Sequence, residues 1–113
     1  MRLQVVGVSH HDAPISVRER LAFTNGQARE ALTQWREEFS DCEIVLLSTC
    51  NRTELYAAAE TESELSSERV TEFLITFHNL AREEIGEHLF AFDGEDAVRH
   101  LFTVASSLDS MVV

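Results

Sequence analysis

Apolar residues recur along the chain at two periods. Leu3-Gln4-Val5-Val6-Gly7-Val8 is rich in β-branched residues and reads as a buried strand. Asp12 and Pro14 then mark a helix start. After a break near Thr24, the run Thr24-Asn25-Gly26-Gln27 has capping-box form, and Ala28, Ala31, Leu32, Trp35 and Phe39 follow at helical spacing. Glu43 to Ser48 reads as a central strand. Glu54 to Ala59 reads as the next strand, after a turn over Cys50 to Thr53. The polar stretch Glu60 to Glu68 is a loop, and Val70, Phe73, Leu74 and Phe77 form the core face of a second helix. Arg82 to Ile85 adds a short turn. His88-Leu89-Phe90-Ala91-Phe92 alternates as a last strand ending in a turn at Asp93-Gly94. A final helix buries Val98, Leu101, Phe102, Ala105 and Leu108.

The order β-α-β-β-α-β plus a helix predicts an α+β fold. The expectation is a ferredoxin-like antiparallel sheet with helices on one face and the last helix as an extension. At 113 residues, one domain can bury a core without staples. There is no basic leader followed by an apolar segment, and no apolar run approaches the ~20 residues that span a bilayer. The chain is expected to be soluble and cytoplasmic, without membrane contact.

Charge narrows the chemistry. Twenty acidic residues stand against nine basic ones, all arginine, for a net charge of -11. Without lysine there is no Schiff base and no lysine-lined phosphate loop. An acidic chain also argues against a freestanding nucleic-acid binder, since phosphate neutralisation needs a basic surface. Any RNA substrate would be gripped mostly elsewhere.

Two cysteines, Cys42 and Cys50, lack CxxC spacing and are expected to be reduced. Cys42 reads as structural. Cys50 follows the apolar run Ile44 to Leu47 in Ser48-Thr49-Cys50-Asn51-Arg52, at a strand's end where function concentrates. A thiol there can form an acyl intermediate, and Arg52 offers a planar fork for a carboxylate. A phosphatase-type loop would need arginine where Tyr56 stands, and a thioredoxin-like pair would need cysteine at Thr53. The adjacent His10 and His11 tempt a metal reading, but there is no HExxH, paired CxxC or carboxylate cluster at ligand spacing.

Three ordered blocks carry a family resemblance. They are Gly7-Val8-Ser9-His10 with Ala13-Pro14 and Arg18-Glu19; Ser48-Thr49-Cys50-Asn51-Arg52-Thr53-Glu54; and His100-Leu101-Phe102 running into Leu108-Asp109-Ser110-Met111. Together they span the chain, which resembles the N-terminal catalytic domain of glutamyl-tRNA reductase. The family's other two domains, which bind NADPH and dimerise, lie downstream. No G-x-G-x-x-G occurs in this sequence, so both are expected to be absent from residues 1–113.

The resemblance implies specific roles. Cys50 attacks the ester of glutamyl-tRNA(Glu) to give a thioester, which NADPH bound by the missing domain reduces to glutamate-1-semialdehyde in tetrapyrrole (porphyrin) biosynthesis. His100 contacts the reacting centre, either as general base toward the thiol or as a donor orienting the carbonyl. Thr49, Arg52 and Ser110 bind the glutamyl group. Glu54 is read as a brace for Arg52 or as a solvent-facing strand residue, outside the catalytic set. Implied partners of the full-length enzyme are a second copy of itself and glutamate-1-semialdehyde aminotransferase. Ser107 departs from the family's usual glycine. The competing reading is a non-catalytic paralogue or regulatory domain that binds protein partners or a tetrapyrrole effector.

Overall fold

The computed structural model describes residues 2–60 and 65–111, with side chains in the last helix through Ser106. Among these residues the chain folds as a mixed α/β structure on one four-stranded antiparallel sheet. The strands are β1 (Arg2–Ser9), β2 (Cys42–Ser48), β3 (Arg52–Ala59) and β4 (Phe90–Asp93), in the spatial order β2-β3-β1-β4. The helices are α1 (Ile15–Leu21), α2 (Asn25–Glu38), α3 (Ser67–Phe77), α4 (Arg82–Ile85) and α5 (Gly94–Met111).

Alternation along the strands sends side chains to two faces. Val6, Val8, Leu55 and Ala57 join Leu21 of α1, Ala31 and Trp35 of α2, and Val70, Phe73 and Leu74 of α3 in the main core. Trp35 ties α2 to the sheet by donating its Nε1–H to the Cys42 carbonyl at 3.1 Å. The Thr24–Gln27 capping box forms as the sequence predicts, with both reciprocal hydrogen bonds present. On the opposite face, Val5 and Tyr56 meet Ala97 of α5, with Leu3 and Phe90 alongside. The last helix thus covers the second face of the sheet and does not extend the first helical layer.

Three further expectations change. Residues 43–48 lie in an edge strand, because β3 separates β2 from β1. Val45, on the edge strand's uncovered side, is consequently 64% exposed. The final helix is also rotated from its predicted phase: Ala97 and Val104 are buried, whereas Val98, Leu101, Ala105 and Phe102, the last 68% exposed, are not. Polar anchoring of His100 beneath the helix selects this phase, while Leu108 lies outside the described side chains. Finally, the predicted turn at Asp93-Gly94 is a direct strand-to-helix junction, where Gly94 at φ +58° adopts the left-handed conformation that glycine tolerates best.

Candidate active site

Strand β3 builds the floor of the site. Arg52, Glu54 and Tyr56 alternate with Thr53, Leu55 and Ala57 and so share the face beneath α5. Register places Ser9, Gly7 and Val5 of β1 directly opposite them. Glycine at position 7 makes room for the acidic side chain: a Cβ there would lie 2.5 Å from the Thr53 carbonyl oxygen and 2.9 Å from Glu54 Cγ.

Glu54 is fully buried and gathers three partners. Arg52 NH1 lies 2.7 Å and His100 Nε2 3.0 Å from Oε2, while the Tyr56 hydroxyl donates to Oε1. An unpaired carboxylate at such a depth would cost several kcal/mol, and this set of partners offsets that cost. Burial first, then the hydrogen bond and charge of Glu54, push the Tyr56 phenol well above its ordinary range. Tyr56 therefore stays a donor.

His100 reaches the sheet from α5. Its ring lies 4.8 Å from that of Phe90 and 5.1 Å from that of Phe92, two β4 residues that point to the same face. These rings, with Ser9, Asp12 and Arg52, border a cleft of about 270 Å³. That is slightly below the roughly 300–1,000 Å³ of pockets for drug-sized ligands, and suits a smaller group.

The nucleophile candidate lies on the β2–β3 turn, two residues before Arg52 of the cleft wall. Cys50 is exposed and Cys42 buried, both as thiols. The turn is held from several sides. Thr49 N–H donates to the Arg52 carbonyl at 2.8 Å, Asn51 N–H to Thr49 Oγ1 at 3.2 Å, and His10 N–H to the Asn51 carbonyl at 2.8 Å. Arg18 of α1 donates from NH1 to the Cys50 carbonyl at 2.9 Å. Ser48 Oγ accepts from Phe23 N–H at 3.0 Å and lies 3.3 Å from Thr53 Oγ1, closing the base of the hairpin.

Of the residues singled out by sequence, Arg52 and His100 come together through Glu54. Thr49 and Cys50 share the adjoining turn, with the Thr49 hydroxyl engaged in the turn's own hydrogen bond. Cys50 is not among the residues bordering the cleft. The Ser110 side chain lies outside the described residues. The brace reading of Glu54 is the one that forms; Tyr56 and Arg18 were not placed in the site by sequence, although the two-residue spacing of Arg52, Glu54 and Tyr56 is the signal that puts them on one strand face.

Neither a metal nor a dinucleotide finds a seat among the described residues. The rings of His10 and His11 lie 3.9 Å apart and tilted by 40°, but no group of three or more His, Cys, Asp or Glu side chains among the described residues is placed to share an ion. A broader concavity of about 800 Å³ lies beside α5, at Leu3, Val98, Arg99 and Phe102. The first turn of that helix carries Glu95 and Asp96, which repel a pyrophosphate where a helix N-terminus would otherwise attract one. The residues present do not fit NADPH.

Comparison with known proteins places this arrangement. Residues 6–113 match the family described as the N-terminal domain of glutamyl-tRNAGlu reductase. The chain is 42% identical over 113 residues to a glutamyl-tRNA reductase of Rhodopirellula baltica, covering all of this chain and 26% of that protein. It is 41% identical over 119 residues to one from Thermodesulfovibrio yellowstonii, covering all of this chain and 28% of the relative. Among solved structures, glutamyl-tRNA reductase from Methanopyrus kandleri superposes with a TM-score of 0.68 at 30% identity, over 96% of this chain and 23% of that one. The chain therefore spans about a quarter of the length of these proteins.

Proposed function

Because the chain belongs to the glutamyl-tRNA reductase family, matching its N-terminal domain, we propose that it is the acyl-transfer domain of such an enzyme. Cys50 Sγ attacks the carbonyl carbon of the glutamyl ester. A C–S bond forms, the bond to the terminal ribose oxygen breaks, and the thiol proton passes to the departing oxygen by way of His100. Free tRNA leaves behind a thioester, which water hydrolyses to glutamate and a restored thiol. The order β2-β3-β1-β4 with antiparallel pairing supports the ferredoxin-like reading of the fold.

Arg52 supplies substrate choice in this proposal. Glu54 engages one of its nitrogens, and a guanidinium carries five N–H donors, so part of the fork remains for the γ-carboxylate of the glutamyl group. Glutamine lacks the second anionic oxygen and is discriminated against. The single observation that carries the proposal is the pairing of an exposed thiol on a hydrogen-bonded turn with a guanidinium two residues on that is fixed by a buried carboxylate. Reduction of the thioester by NADPH belongs to the longer proteins of the family, and no step through that cofactor is assigned to these residues.

The test is deacylation. The chain mixed with glutamyl-tRNA should release free tRNA at a rate well above the spontaneous one. Equal release by Cys50→Ala would overturn the proposal.

A further inference from the structure

We infer that Glu54 is a positioning residue that, with Tyr56 behind it, fixes the tautomer of His100 and assigns the base role to Nδ1. The inference rests on the acyl-transfer reading for its functional meaning, and on geometry alone for its structural content.

A carboxylate only accepts hydrogen bonds. Both contacts at Oε2, from Arg52 NH1 at 2.7 Å and His100 Nε2 at 3.0 Å, therefore require protons on the nitrogens. In its neutral form the imidazole carries one proton, so a proton on Nε2 leaves Nδ1 as a lone pair. An orienting donor toward the substrate carbonyl is then not available from the neutral ring. A base is.

Burial makes the assignment firm. Glu54 is wholly enclosed, and the His100 side chain is 19% exposed between Phe90 and Phe92. Tyr56 holds Oε1, which directs the other oxygen at the Arg52–His100 side. When Nδ1 takes the Cys50 thiol proton, the resulting imidazolium lies against the Glu54 carboxylate, which stabilises it without receiving the proton. One buried acid thereby couples the group proposed to bind the substrate's carboxylate to the group proposed to move the proton.

The experiment uses the intact chain labelled with 15N in its histidine rings. Long-range proton–nitrogen NMR at a pH where the His100 ring is neutral should show the Nε2–H tautomer in the wild type, and a tautomer mixture in Glu54→Gln. Tyr56→Phe, which leaves the carboxylate in place, should retain Nε2–H with a smaller change. A wild-type ring in the Nδ1–H form, or an unchanged Nε2–H population in a folded Glu54→Gln, overturns the inference. The wild-type spectrum decides the matter even where the variant fails to fold. In the deacylation assay, Glu54→Gln should lose about 100-fold in rate, within the span attributed to general acid–base catalysis, with Glu54→Asp recovering part. Absence of deacylation by the wild type contradicts the acyl-transfer reading and leaves the tautomer result standing.

Discussion

The guanidinium of Arg18 donates a hydrogen bond to the carbonyl oxygen of Cys50 at 2.9 Å, joining the first helix to the turn that presents the thiol. The contact spans 32 positions of sequence and brings positive charge close to the thiol's own backbone. It is how a helix fixes the turn that carries Cys50.

Removing that contact should loosen the turn more than the fold. Arg18→Gln is expected to lower Cys50-dependent deacylation by about tenfold while reducing unfolding free energy by ~1 kcal/mol, the usual net value of one hydrogen bond. Parallel urea denaturation and single-turnover assays check both. A variant as active as the wild type would remove Arg18 from the account.

In the proposed reaction Arg52 both binds the substrate's carboxylate and stabilises the fold through Glu54, and two substitutions separate these roles. Arg52→Lys keeps the charge near Glu54 but loses the planar fork, so KM for glutamyl-tRNA should rise with a modest stability change. Arg52→Ala strips a buried carboxylate of its guanidinium, with an expected stability loss of about 3–5 kcal/mol. Chemical denaturation and steady-state deacylation distinguish the outcomes.

Tyr56 is the only tyrosine in the chain, which makes its ionisation directly visible. Its folded-state value is raised by burial and by Glu54, above the unfolded value of about 10. The unfolded chain therefore releases this proton first, so the contribution is intact below about pH 10 and declines as pH rises beyond it. Phenolate absorbance should appear only together with unfolding. A reversible titration near pH 10 in the folded protein would contradict the network.

His78 gives the opposite limb. It lies between Phe23 at 4.4 Å and Phe77 at 5.2 Å, and its Nε2 is buried with no hydrogen-bond partner among the described residues. Burial lowers its affinity for a proton, offset in part by a hydrogen bond with the Leu21 backbone. The unfolded state binds the proton first, so this contribution is present above about pH 6.5 and is lost as pH falls below it. Urea midpoints for the wild type should fall more steeply with acidity than those of His78→Phe.

The phase of α5 can be read by a pair of charge insertions. Ala97→Asp places a carboxylate against Val5 and Tyr56 and should cost several kcal/mol. Phe102→Asp lies on the exposed side and should stay within about 0.5 kcal/mol of the wild type. Thermal denaturation of the two variants tests the orientation that brings His100 to the sheet.

Local signals carried most of the elements. The Thr24–Gln27 box and the Val70–Phe77 face are short-range features, and both form as the sequence predicts. Tertiary choices were less legible. Nothing local says that β3 inserts between β2 and β1, which turns residues 42–48 into an edge strand. The apolar stripe of the last helix misled for a related reason: Leu101 and Phe102 look like core, yet the helix turns its histidine inward because a buried carboxylate waits 46 positions upstream. For the site, the block around Cys50 was visible as a motif, whereas Glu54 read equally as a brace for Arg52 or a solvent-facing strand residue until pairing placed it, buried and ion-paired with Arg52, beneath α5.

The central claim is that Cys50 carries the glutamyl group. Intact-mass and peptide spectrometry of the chain, acid-quenched shortly after mixing with glutamyl-tRNA, tests it most directly. The account predicts a hydroxylamine-labile glutamyl adduct on the Cys50 peptide, lost in Cys50→Ala and diminished in Arg52→Ala. Deacylation without an adduct on Cys50, or an adduct that persists in Cys50→Ala, would contradict it.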